Sequence, residues 1–149
     1  MIPISEASAI AIHSAVYISI KELASLKDIA ERFDVSANHL SKVLQALVKA
    51  GYISSSKGPA GGFKIADGKE NTSFLDIYET IEGKNWQRSC LFHSKCGKYC
   101  SNCIMGDLVN DINIKFKNYM ESHTIKDHYL LDDDFKINKT DDKKSKQKK

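Results

Sequence analysis

Cysteine is absent from this chain except between residues 90 and 103, so sulfur chemistry is confined to one short stretch. No apolar run approaches 18 residues, which excludes a membrane-spanning helix. No basic start with an apolar centre precedes the first charged residues, and the expectation is therefore a cytoplasmic protein. The chain lacks a Ser/His/Asp order, a paired-carboxylate setting and a phosphate-cradling loop, so nothing points to an enzyme. A general basic excess is missing too. The net charge of +3 arises from residues 139–149, which hold six lysines and two aspartates. The remainder carries 16 basic against 17 acidic residues, so any affinity for nucleic acid must come from local placement of charge.

What is present begins with the sulfur. Four cysteines stand as Cys90-x5-Cys96-x3-Cys100-x2-Cys103, in a Gly/Lys/Ser-rich segment with neither helical nor strand period. In a reducing cytoplasm such a cluster means a soft metal, an iron–sulfur cluster or a redox-active thiol set, with a structural disulfide pair as the bland alternative. The 149 residues suit one domain, or a small domain with a dimerising arm, and an apolar content of 42% is ample for a core.

Upstream the periodicity is helical. Ile4, Ala7, Ile10, Ala11, Ser14, Ala15, Tyr17 and Ile18 predict an amphipathic helix over residues 4–20 with small residues on its packing face. Leu26-Lys-Asp-Ile-Ala-Glu-Arg-Phe33 predicts a short helix, broken by Asp34-Val-Ser36. Ser36 is a natural N-cap for a longer helix in which Leu40, Val43, Leu44, Leu47 and Val48 turn inward, stopped by Gly51. Asn38, His39, Ser41, Lys42, Gln45 and Lys49 then face outward. Short helix, tight turn and polar-faced longer helix make a helix-turn-helix.

Two strands flank Gly58-Pro-Ala-Gly-Gly62, which predicts a hairpin directly after the recognition helix. Such a hairpin reads as a wing whose Lys57, Gly58 and Gly61 could approach a phosphate backbone; an ordinary two-strand turn is the alternative. Thr72 or Ser73 caps a further helix ending at Gly83. A long helix is expected from about Asn102 to Ser122, with Ile104, Leu108, Ile112, Phe116 and Tyr119 in one stripe widened by Met105, Val109 and Met120. That stripe outlasts the core of a small winged domain, which suggests a dimer interface, with packing inside the subunit as the alternative. Thr124–Leu131 is expected as a last short turn.

Taken in order, these motifs resemble the winged-helix iron–sulfur regulators typified by IscR and NsrR. The matching stretches are Ile4-Ser-Glu-Ala-Ser8, Leu26–Phe33, Val35–Tyr52, Lys57-Gly-Pro-Ala-Gly-Gly-Phe63, Leu75–Gly83 and the cysteine loop, covering about residues 3–130. The resemblance implies a mainly α fold with a small β-hairpin. A winged helix-turn-helix domain with its linking helix would occupy residues 1–83 and the cluster-binding loop 84–103. A dimerisation helix and short turn would occupy 104–131, followed by a disordered lysine-rich tail over 132–149. It further implies a homodimeric transcriptional regulator, expected to be a repressor, on a pseudo-palindromic double-stranded operator. Its affinity would be set by the state of a 2Fe–2S or 4Fe–4S cluster. Ser36, Asn38, His39, Ser41, Lys42, Lys57, Gly58 and Gly61 are then the candidate DNA contacts, although any of the polar ones could be merely solvated.

By the same resemblance the cluster ligands map onto Cys90, Cys96 and Cys103. Relatives that place a histidine three residues after the last cysteine find Gly106 here, so the fourth position is open. Cys100 is one candidate. His13 is the other, at a position on the first helix from which some relatives ligate across the dimer; the alternative acidic position there is Ala9. His93 lies inside the loop and reads as solvated. Zinc remains an alternative metal, although four-cysteine zinc sites usually join knuckles separated by a dozen or more residues, against three between the pairs here. A cluster-free thiol switch is a further alternative, and an electron-carrying iron–sulfur protein that does not bind DNA is the reading from another class.

Overall fold

The computed structural model describes residues 4–58, 60–87, 90 and 104–127. Cys96, Cys100, Cys103, His93 and the expected tail lie outside the described residues. The first helix, α1 (Glu6–Lys21), organises the rest. Ser5 caps it by accepting from the Ser8 amide at 3.1 Å, and Glu6 in the first turn and Lys21 in the last complement its dipole. Ser8, Ile10, Ala11, Ser14, Ala15, Val16, Ile18 and Ser19 are all buried, a wider face than the spacing alone predicts. Small side chains let neighbours approach from two sides. Ile10, Ala11, Ala15 and Ile18 join Ile29, Leu40, Leu44, Leu47 and Ile53 in one core. Val16 joins Phe74, Leu75, Tyr78, Trp86, Phe116 and Met120 in a second.

Helix α2 (Leu26–Phe33) opens with a capping box between Ser25 and Asp28 and stops where Asp34 turns left-handed at φ 52°. Helix α3 (Ala37–Lys49) is capped by Ser36, as its sequence position predicts. At its other end Tyr52 donates to the Leu47 carbonyl at 3.1 Å and Gly51 to that of Val48 at 3.0 Å. These two bonds close the last turn and require the positive φ of 80° that Gly51 supplies. Strands β1 (Ile53–Ser56) and β2 (Gly62–Ile65) pair antiparallel, with Ile53 opposite Ile65 and Ser56 opposite Gly62.

A third chain segment, invisible to periodicity, joins this hairpin. Ala24, between α1 and α2, donates to the Phe63 carbonyl at 3.1 Å and accepts from the Phe63 amide at 2.8 Å. A Cβ on Gly62 would stand 2.7 Å from the Ala24 carbonyl oxygen, so only glycine allows this approach.

Helix α4 (Phe74–Glu82) repeats the capping box with Ser73 and Asp76 and ends at Gly83. Helix α5 (Leu108–Ser122) begins later than the expected Asn102; residues 104–107 are turns. The expected stripe divides. Phe116 and Met120 are buried against α4 and α1, whereas Ile104 is 99% exposed and Leu108 and Ile112 are 46% and 38% exposed. The chain after α5 is more than a turn before the tail: Ile125 is buried, its amide donates to the Thr72 carbonyl at 3.0 Å, and Phe74 donates to that of His123 at 2.9 Å.

The Ser25 hydroxyl, donating to Asp28 at 2.6 Å, and the Ser25 amide at 3.0 Å together hold the Asp28 carboxyl below its ordinary pKa. A depressed folded value stabilises the protein above the unfolded pKa of about 4, and this stabilisation is lost as pH falls through the folded value. Asp28→Asn should therefore cost about 0.5–1 kcal/mol at pH 7 in denaturant melts, with the gap narrowing as pH falls through the folded carboxyl's titration. A gap unchanged by acid would contradict the assignment.

Candidate nucleic-acid interface

The apolar face of α3 is pinned by Leu40, Val43, Leu44 and Leu47, each buried, which fixes what points outward. Ser36, Asn38, Lys42, Gln45 and Lys49 are exposed. The Ser36 hydroxyl accepts from the His39 amide at 3.2 Å, so its first role is to cap. His39 is half-buried, with Nδ1 4.0 Å from a carboxylate oxygen of Glu6 on α1. Ser41 is half-buried and accepts from the Gln45 side-chain amide at 3.3 Å. Of the predicted helix contacts, Asn38 and Lys42 thus stand exposed, and Ser36, His39 and Ser41 have neighbours within the protein.

The hairpin tip is tightly wound. Gly61 donates to the Gly58 carbonyl at 2.9 Å, and a Cβ on Gly61 would stand 2.4 Å from the Ser56 carbonyl oxygen. Gly58 lies at φ 107°, a left-handed conformation that favours glycine. Lys57, Gly58 and Lys64 are exposed and Gly61 is half-buried. A narrow tip with a lysine at its shoulder can meet phosphates, and an amide-and-ammonium helix face can meet base edges.

The stem of the cysteine loop is held by residues that sequence reasoning passed over. Trp86, the sole tryptophan, is 7% exposed. Its ring meets those of Tyr78 and Phe116 edge-on at 5.6 and 5.1 Å, and its Nε1–H donates to Glu79 Oε1 at 3.1 Å. Burial, and then the charge of Glu82, push the Tyr78 hydroxyl up to about 12. Cys90, four residues beyond Trp86, is half-buried. An isolated tryptophan before a polar loop was the available signal.

Glu82 closes a second junction: its carboxylate accepts from the hydroxyls of Ser5 and Ser8 at the start of α1. Burial pushes the Glu82 carboxyl up, but the bonds from Ser5 and Ser8 outweigh it and leave the pKa lowered. His13 is exposed on α1 and its Nδ1 lies 2.8 Å from the Ala9 carbonyl. A carbonyl only accepts, so Nδ1 donates this bond and Nε2 is the ring nitrogen left to meet another group. Among the described residues no group of three or more His, Cys, Asp or Glu side chains could hold a metal ion, and three of the four cysteines lie outside them. Nor, among the described residues, is any helix long and apolar enough to cross a membrane.

Comparison with known proteins agrees with this architecture. A family model, Rrf2, described as an iron-dependent transcriptional regulator, matches residues 4–129. The chain is 47% identical over 58 residues to BadM of Rhodopseudomonas palustris, spanning 39% of this chain and only 37% of that protein's length. It is 27% identical over 117 residues to the HTH-type transcriptional regulator NsrR of Shouchella clausii, spanning 77% of this chain and 78% of the relative. The fold is similar to that of CymR, described as the global cysteine regulator of B. subtilis, with a TM-score of 0.71 at 21% identity over 88% of this chain and 98% of that one.

Lys57→Ala should weaken binding to all DNA sequences alike and flatten the salt dependence by about one unit, as for one lost phosphate contact. Asn38→Ala should cost about 1–3 kcal/mol on a preferred duplex and relax its sequence preference. Filter binding across a salt series distinguishes the two. Silence of both variants, with binding abolished by deletion of residues 139–149, would remove the interface.

Proposed function

The chain belongs to the Rrf2 family of transcriptional regulators, and on that premise we propose that its DNA affinity is set by an iron–sulfur cluster on the cysteine loop. It acts in the cytoplasm as a homodimeric repressor of a pseudo-palindromic double-stranded operator. The observation that carries this reading is the pairing of an exposed, capped α3 and a glycine wing with a cysteine segment whose stem is locked to the same body by Trp86.

The donor set fits a cluster of either nuclearity, 2Fe–2S or 4Fe–4S. Cys90, Cys96 and Cys103 supply three thiolates, and Cys100 or His13 of the partner subunit supplies the fourth bond. The Nδ1–H bond of His13 to the Ala9 carbonyl orients its ring and leaves Nε2 free to ligate. Lys95 and Lys98 within the loop suit an anionic group. Bound there, a cluster supplies an oxidant- and nitric-oxide-sensitive centre whose loss releases the loop. The chain's own part is to read DNA through Asn38, Lys42 and Lys57, and to hold the loop to that reading head.

A zinc-bound or cluster-free thiol switch is the alternative. Anaerobic reconstitution followed by iron, sulfide and zinc analysis separates the readings. Cys103→Ala should lose the visible absorption, and loss in only one of Cys100→Ala and His13→Ala identifies the fourth ligand. A full cluster in all three variants would refute the site.

Dimerisation rests on Leu108 and Ile112, exposed apolar residues on the first half of α5. Changing both to Asp should give monomers in sedimentation and weaken operator binding, because each half-site would then be bound alone. A dimer unchanged by both substitutions would place the interface elsewhere.

A further inference from the structure

The end of α4 meets the start of α1, which in turn lies beside the start of α3. Glu82 is the last residue of α4, and Gly83 at φ 84° turns the chain out of the helix towards the loop. The Glu82 carboxylate reaches back 77 and 74 residues to the hydroxyls of Ser5, the cap of α1, and Ser8, which is fully buried. Between those serines, Glu6 approaches Nδ1 of His39 at 4.0 Å. His39 stands at the third position of α3, and its amide is the one that Ser36 caps. One turn back along α4, Glu79 accepts from Trp86 Nε1 at 3.1 Å and fixes the loop's stem. The last turn of α4 therefore holds Trp86 through Glu79 and the start of α1 through Glu82.

We propose that Glu82 is the positioning residue through which the state of the cysteine loop reaches the recognition helix. The proposal rests on the cluster-regulated reading above. The link is contiguous: loop stem, Glu79 and Trp86, the final turn of α4, Glu82, Ser5 and Ser8, then Glu6 and His39. Its side-chain links are the hydrogen bonds of Glu79 to Trp86 and of Glu82 to Ser5 and Ser8; the helices carry it between them, and the 4.0 Å approach of Glu6 to His39 completes it, so a shift of the α4 terminus changes the register of α1 against α3. A carboxylate at this point also faces the positive end of the α1 dipole, which favours the clasped arrangement while Glu82 is ionised. The Ser5 and Ser8 bonds, outweighing burial, hold its pKa below the ordinary carboxylate value.

The test uses the full chain, reconstituted anaerobically with iron and sulfide, as wild type, Glu82→Gln and Ser5→Ala. Ser5 is exposed, so its variant keeps the test open if Glu82→Gln folds poorly. Operator affinity is measured for the loaded and cluster-free forms of each, with the visible spectrum as a check on loading. In the cluster-free proteins, amide hydrogen exchange across the first turns of α1 and α3 and the emission of Trp86 supply readouts that need no cluster. The expected result is an unchanged spectrum with the loaded-to-free affinity ratio reduced about tenfold in the variants. Exchange at the amides of Ser8, Ala9 and His39 should rise while Trp86 emission stays put. Variants with the wild-type ratio and wild-type exchange would overturn the relay and leave the cluster-regulated reading standing. A wild type whose two forms bind equally would overturn both.

Discussion

Burial of α1 on two sides is the constraint on which the structure depends. One side completes the core of the helix-turn-helix and its hairpin; the other, through Val16, meets α4, α5 and Trp86. A helix shared in this way cannot be shifted by one neighbour without disturbing the other, because close-packed interiors transmit strain rather than absorb it. Its small residues, Ala11, Ser14 and Ala15, are what allow both sides to approach. Its ends are held by polar bonds: the start by Glu82, and the linker beyond it by the Ala24–Phe63 pairing at the base of the wing. Both DNA-facing elements are thus referenced to the same helix.

The cysteine loop hangs from that frame at a defined point. Trp86 packs edge-on to Tyr78 and Phe116, aromatic contacts worth about 0.5–1.5 kcal/mol each beyond the area they bury. Its indole N–H is satisfied by Glu79, so the buried ring leaves no polar group stranded. The stem is therefore rigid up to four residues before Cys90. Under the proposed cluster control, a change at the cysteines would act on a fixed attachment at Trp86.

Much of this was legible in the sequence where one local rule governs. Ser36 and Gly51 mark the ends of α3 because capping chemistry is set by a few adjacent residues, and Leu40, Val43, Leu44 and Leu47 declare its buried face by period alone. The hairpin follows from its glycines. Family membership followed from the motifs taken in order, and the match over residues 4–129 bears it out. What escaped has no period. Ala24 pairs with Phe63 as a single residue outside any strand, and Ile125 and Trp86 are lone apolar residues in polar surroundings. Glu82 finds Ser5 across 77 residues, a contact that only the packed fold creates. The stripe on α5 misled in part because a continuous apolar row does not say where one packing partner ends; Phe116 and Met120 serve the subunit's own core, while Leu108 and Ile112 stay uncovered.

A single anaerobic preparation, titrated against a labelled duplex selected from a random-sequence pool, gives the most direct measurement of cluster control. Its Kd is determined before and after a chelator strips the iron, with iron and sulfide assayed on the same samples. A change of about tenfold or more that accompanies loss of both elements is the predicted result. An identical Kd in the two states, from a preparation shown to have carried and lost its iron and sulfide, would contradict it.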